Sequence, residues 1–211
     1  PYLKISRVTI MKNNSLSKKA ILTALFAALI SAGCYIQIPL PGGIPIVIQD
    51  MMSMLSGLIL GPLYGTISVF LFLILGSLGL PVFSGKGGIN VILQGPTGGF
   101  LIGYMAAAFA GGLIVHFLVK DKPVIIEKED GTTELQPVSS KRNIVNWIFI
   151  AAGAITATVV AFTLGIIGFH RVKPDLAMSK VLAAVLIPFI PGNTIKLIIM
   201  IPLAKKIRSA I

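Results

Sequence analysis

Residues 20–38 read AILTALFAALISAGCYIQI, a run without a single charge, and Lys12, Lys18 and Lys19 stand immediately before it. The hydrocarbon core of a bilayer calls for roughly 20 apolar residues in a helix, so this run has the length and flank of a membrane span. A basic flank ahead of an apolar run is also the outline of a secretory signal. Ala32-Gly33-Cys34 has the form of a lipoprotein cleavage site, except that Ser31 occupies the place of a bulky aliphatic residue. Residues 1–18 are a basic segment, and its first ten residues precede the first methionine, Met11, in the position of a leader.

The rest of the chain repeats the same chemistry. Of 211 residues, 55% are hydrophobic and 12% charged, and the mean hydropathy is +0.92. A water-soluble domain spends about a quarter of its residues on charge, which excludes one here. A net charge of +11 raises the question of nucleic acid, but no basic run interleaved with aromatics occurs. Topology accounts for the charge, because Lys and Arg retained on the cytoplasmic side orient membrane helices and meet anionic headgroups. Cys34 is the single cysteine; it has no disulfide partner or metal-ligand neighbour and reads as a small packing residue.

Proline and glycine then divide the chain. The segment 39–45, PLPGGIP, ends the first span; a second covers about 46–60, Gly61-Pro62 makes a turn, and a third runs over 63–80. Residues 81–99, PVFSGKGGINVILQGPTGG, read as a long structured loop, followed by a fourth span at about 100–119. The 120–143 stretch holds five of the seven acidic residues and reads as a solvated, poorly ordered loop. A fifth span follows at 144–168, and Pro188 and Pro191-Gly192 split 176–204 into a short helix, a break and a last helix. The expectation is an all-α membrane protein: six transmembrane helices forming a single domain over 19–206, with an outward-facing ligand pocket.

Orientation follows from the basic residues. With the amino terminus cytoplasmic and six spans, the inner side holds Lys4, Arg7, Lys12, Lys18 and Lys19, then Lys120, Lys122, Lys128, Lys141 and Arg142, then Lys205, Lys206 and Arg208. The outer side holds Lys86, Arg171, Lys173 and Lys180, a split of 13 to 4 that puts both termini and the 120–143 loop inside. Segments 39–45, 81–99 and 188–193 then share the outer face. Irregular backbone is tolerated at membrane depth where it lines a cavity, so their convergence points to a pocket.

The polar residues in and beside the spans are its candidate lining. Asn193 and Lys196 lie three apart, on one helix face; a buried Lys costs about 2.5–3.5 kcal/mol to insert, which makes it functional unless it snorkels to headgroups. Asp50 is the sole carboxylate in any span; it pairs with a cation such as Lys196 or Lys86, sits in a watery mouth, or marks an interfacial helix start. Gln49 both donates and accepts, which suits an amide-like ligand. The 81–99 loop adds Lys86, Asn90, Gln94 and Thr97. Ala20, Ala24 and Ala28 recur every four residues, a spacing that lets a helix approach closely in lipid or serves internal packing. No catalytic constellation, P-loop or dinucleotide-binding pattern occurs, and His116 and His170 are remote from one another in the topology.

Four stretches in order, IPLPGGIPIVIQ at 38–49, LGPLYG at 60–65, GSLGLPVFSGKGGINVILQGPTGGFLIGY at 76–104 and IPFIPGNTIK at 187–196, resemble the BioY family, the biotin-specific S components of energy-coupling factor transporters. The resemblance covers about 20–204 and implies a six-helix protein of the cell membrane. It implies that biotin is taken up on the outer face without a cofactor, with a transmembrane coupling subunit and two cytoplasmic ATPases as partners. It also implies that the Ala20, Ala24 and Ala28 stripe docks the coupling subunit. Asn193 stands where the family often has Asp, and Asp50 where a neutral hydroxyl residue is common. Biotin offers a ureido ring, an apolar bicycle and a carboxylate that calls for a cation or main-chain N–H groups. An S component for another vitamin, a stand-alone channel and an intramembrane enzyme are the alternatives.

Overall fold

The computed structural model describes residues 2–38, 45–120, 124–127, 133–136 and 139–210, with side chains over 16–38, 45–120 and 139–210. Helix α1 (Tyr2–Ala32) continues through a 3-10 turn, Gly33–Tyr35, into β1 (Gln37–Ile38), which pairs antiparallel with β2 (Ile46–Val47). Then come α2 (Gln49–Ser77), α3 (Ile89–Leu93), α4 (Gly98–Leu118), β3 (Val124–Glu127), β4 (Thr133–Gln136), α5 (Ser140–Val172), α6 (Met178–Val185) and α7 (Phe189–Ala210). Among the described residues, four helices are long and apolar enough to cross a membrane, and α6 with α7, bent by 46°, makes a fifth.

Helix α2 is broken where Gly61-Pro62 predicts a turn. Gly61 has φ 84° and ψ 178°, a conformation open to glycine and costly for any side chain. The chain doubles back there into arms 49–60 and 62–77. The backbone of Gly65 lies against that of Gly57, and Ser56 Oγ donates to the Gly65 carbonyl at 3.1 Å. Pro62 has no N–H, so the Leu58 carbonyl four residues earlier loses its helical donor. Arg208 Nη1 at the end of α7 donates to it instead, at 2.8 Å.

Small residues bring the other helices together. Gly103 meets the Ala161 backbone, Gly111 meets Gly153, and Gly57 meets Ala108; Ala107, Ala108, Ala154, Ala157 and Ala161 are all fully buried. In lipid, helix association depends on such close van der Waals approach. Phe72, Leu58, Ile150 and Val115 fill the remaining core.

The structure departs from the sequence reading in several places. The 188–193 segment, expected as an irregular break, is helical from Phe189, because Pro191 falls in the first turn of α7, where its missing N–H leaves no helical bond unmade. The helix that carries the first span begins at Tyr2, well ahead of residue 20. The 81–99 segment contains α3. The 120–143 stretch, expected as a loop, holds the antiparallel β3–β4 hairpin with Val124 opposite Gln136 and Glu127 opposite Thr133; a Val-Ile-Ile run suits a strand better than its charged neighbours suggest. Asn146, 1% exposed, ties α5 to the residues just after α4 by accepting from the Lys120 N–H and donating to the Lys120 carbonyl, both at 3.1 Å. Residues 39–44, 121–123, 128–132 and 137–138, with Lys122 and Lys128 among them, and the side chains of Lys4, Arg7 and Lys12 lie outside the described residues.

Candidate ligand pocket

The 81–99 segment is shaped by its turns and one aromatic anchor. Phe83 and Lys86 exchange backbone hydrogen bonds of 2.8 and 3.1 Å, and the two residues between them, Ser84 (φ 52°) and Gly85 (φ 81°), both have positive φ, as in a tight hairpin turn. Phe83 packs edge-on to Phe72, with centroids 5.3 Å apart, and its ring covers Gly76. The turn is thereby pinned to the second arm of α2. Gln49 adds a second tie: its amide donates to the Val82 carbonyl at 2.8 Å and the Ile30 carbonyl at 3.2 Å.

Between this segment and the β1–β2 pair lies a cavity of about 450 Å³, lined by Gln37, Pro45, Phe83, Ser84, Lys86, Asn90, Val91, Gln94, Gly95, Pro96 and Thr97. Lys86, Asn90, Gln94 and Thr97, the four residues singled out in the loop, all line it. Helix α3 and its C-terminal turn place Asn90, Val91 and Gln94 on one side of the helix, facing the cavity. The set offers a cation, two amides and a hydroxyl over an apolar floor, a mixture that fits a small ligand of mixed polarity.

The other predicted residues fall elsewhere. Lys196 Nζ donates to Asp50 Oδ1 at 2.8 Å and Oδ2 at 2.7 Å, with the two side chains only 12% and 8% exposed. Of the partners open to Asp50 in the sequence, Lys196 is the one it takes. Asn193 is half-buried one turn before Lys196, and the neighbouring Gly192 comes close to Ile46 of β2. The start of α7 therefore abuts the strand that leads into the cavity, although neither Asn193 nor the ion pair lines it. Gln49, 1% exposed, differs from its sequence reading: a buried amide needs partners, and its donor group takes them from the main chain.

The profile of the BioY family matches residues 7–211. The chain belongs to the BioY family. A biotin transporter BioY of Rhodobacter capsulatus is 36% identical over 193 residues, spanning 87% of this chain and 90% of that protein. One of Thermotoga maritima is 30% identical over 192 residues, spanning 90% and 96%. The crystal structure of the S-component for biotin from an ECF-type ABC transporter superposes with a TM-score of 0.70 at 29% identity, covering 93% of each chain.

Within this BioY-family fold, Ala20, Ala24 and Ala28 are all exposed on α1, next to Ile21 and Leu25 at 67% and 51% exposure. The opposite face, with Phe26, Ala27 and Ile30, is buried. The stripe is therefore not part of this chain's own core. Sequence reasoning missed Gln37, Phe83 and Ser84 as lining. Gln37 sits in what reads as the end of a span, and the positive φ of Ser84 brings in a residue with no polar pattern around it.

Proposed function

We propose that this chain binds biotin as the S component of an energy-coupling factor transporter in the cell membrane. It is a transporter subunit, not an enzyme. The observation that carries the reading is the cavity built by Lys86, Asn90, Gln94 and Thr97 in a chain whose relatives along nearly its whole length are biotin transporters. In the proposed arrangement the six spans are α1, the two arms of α2, α4, α5 and the α6–α7 pair within one domain over 19–206, with both termini in the cytoplasm and the cavity facing outward. The broken α2 and the 13 to 4 distribution of basic residues support this.

Lys86 is suited to the valerate carboxylate, and the amides of Asn90 and Gln94 to the ureido group. Asn193, Lys196 and Asp50 lie beside the cavity rather than in its lining, and act on the ligand through the contact of α7 with β2. With no ATP-binding motif in its sequence, the chain depends on partners for energy: a transmembrane coupling subunit, docked through Ala20, Ala24 and Ala28, and two cytoplasmic ATPases. Isothermal titration of the purified protein tests the reading. Biotin should bind saturably, and d-desthiobiotin more weakly because it lacks the sulfur-containing ring's apolar contacts. No heat with biotin, beside clear binding of another vitamin, overturns it.

A further inference from the structure

Helix α3 is five residues long and has no buried residue, yet it is the wall of the ligand cavity. Asn90 and Val91 face that cavity. Its other sides open onto two apolar crevices. One, of about 430 Å³, lies between α3, α4 and the second arm of α2 and is lined by Phe70, Leu73, Ile74, Ile89, Ile92 and Met105 among others. The second, of about 160 Å³, lies between α3, α4 and α5, with Ile92, Leu93, Ile102, Leu164, Ile167 and Arg171 among its lining. Ile92 belongs to both and forms the ridge between them. The floor of the second crevice is low because Gly99 and Gly168 bring α4 and α5 into backbone contact.

We propose that the two crevices seat the glycerol-proximal segments of the two acyl chains of one membrane glycerophospholipid, straddling Ile92, with its phosphodiester on Arg171. Two features select this occupant. The crevices are apolar and open to the outside of the helix bundle, where Leu93 and Ile167 are 57% and 59% exposed. Arg171, at the rim of the second crevice in the last turn of α5, is exposed, and its side chain makes no hydrogen bond or ion pair among the described residues. A guanidinium with all its donors free, at the mouth of an apolar groove of about 160 Å³, is matched in geometry and charge by a lipid phosphate. Lipid thus supports from outside the wall that α3 presents to the ligand, and its occupancy tightens ligand binding.

Native mass spectrometry of delipidated protein with dioleoyl phosphatidylglycerol and, separately, dioleoylglycerol tests the site. The wild type should retain one phosphatidylglycerol about tenfold more tightly than the diacylglycerol, as one charge-assisted contact allows. Arg171→Gln should erase that preference, and Ile102→Trp, which fills the second crevice, should weaken both lipids. Phosphatidylglycerol should also raise the biotin affinity of the wild type but not of Arg171→Gln. Equal retention of the two lipids by the wild type, an unchanged preference in Arg171→Gln, undiminished binding in Ile102→Trp, or displacement of the lipid by inorganic phosphate alone would each overturn the proposal. Should the wild type bind no biotin at all, the functional reading fails, and the lipid measurements still decide this one.

Discussion

The guanidinium of Arg208 donates to the carbonyl of Leu58 across 2.8 Å, and that carbonyl is the one Pro62 leaves without a helical donor. The reversal of α2 is thus closed by a residue 150 positions away on another helix. Gly61 permits the turn, and Arg208 satisfies what the turn leaves open.

Arg208→Gln removes the charged donor from a part-buried acceptor, which costs about 1–3 kcal/mol. Gly61→Ala forces a side chain into φ 84° and ψ 178° with its Cβ 3.4 Å from His116 Nδ1, at about 1–3 kcal/mol. Both variants should show lowered thermal midpoints in detergent. Arg208→Lys should recover part of the loss, since it keeps a charged donor without the fork.

Asp50 and Lys196 hold one another in a poorly solvated place, so removing one strands the other. Asp50→Asn should destabilise the protein by about 3–5 kcal/mol, and Asp50→Leu with Lys196→Met should restore much of that. Biotin titration of the double variant separates stability from recognition: it should fold and bind biotin weakly. Wild-type affinity in the double variant would assign the pair a purely structural role.

Asn90→Ala, Gln94→Ala and Lys86→Ala should each weaken biotin binding by about 1–3 kcal/mol with little change in the thermal midpoint, because all three side chains are exposed at the cavity. Gln49→Ala should do the reverse, lowering the midpoint by freeing the Val82 and Ile30 carbonyls. Asn193→Ala should weaken binding without unfolding the protein. Titration and thermal unfolding on the same preparations compare the two effects.

Ala24→Trp and Ala28→Trp put bulk on an exposed face of α1 and leave the cavity untouched. Isolated protein should bind biotin as before, while co-purification with the coupling subunit and ATPases, and uptake, are lost. Normal assembly of both variants would move the docking surface elsewhere.

Much of this was legible because lipid imposes simple rules. Gly61-Pro62 and Pro188 mark breaks that the helices respect, and the polar residues of 81–99 could be singled out because a long glycine-rich segment beside apolar spans has few other uses. Lys196 could be named among the cations open to Asp50 because so few are available near the spans, although a watery mouth or an interfacial helix start fitted the sequence as well. Other features depend on contacts that no local pattern carries. Helix α3 is too short to show a period, and Gln49 looks like a ligand-reading amide until the Val82 carbonyl arrives from 33 residues away. The β3–β4 hairpin shows that a highly charged stretch can hide a strand when a few β-branched residues adjoin.

The Asp50–Lys196 pair also sets an order of events during synthesis. The two residues are 146 positions apart, and a ribosome adding about 5–20 residues per second needs on the order of ten seconds or more to cover that distance. Throughout that interval the carboxylate has no cation from α7 to meet, so the N-terminal end of the first arm of α2 must keep to water while the later helices insert. Helix α7 then faces the converse difficulty, since its own lysine enters a largely finished bundle. Each charge thus makes the other's helix acceptable to the membrane, and the contact between the start of α2 and α7 is made only once both have been synthesised.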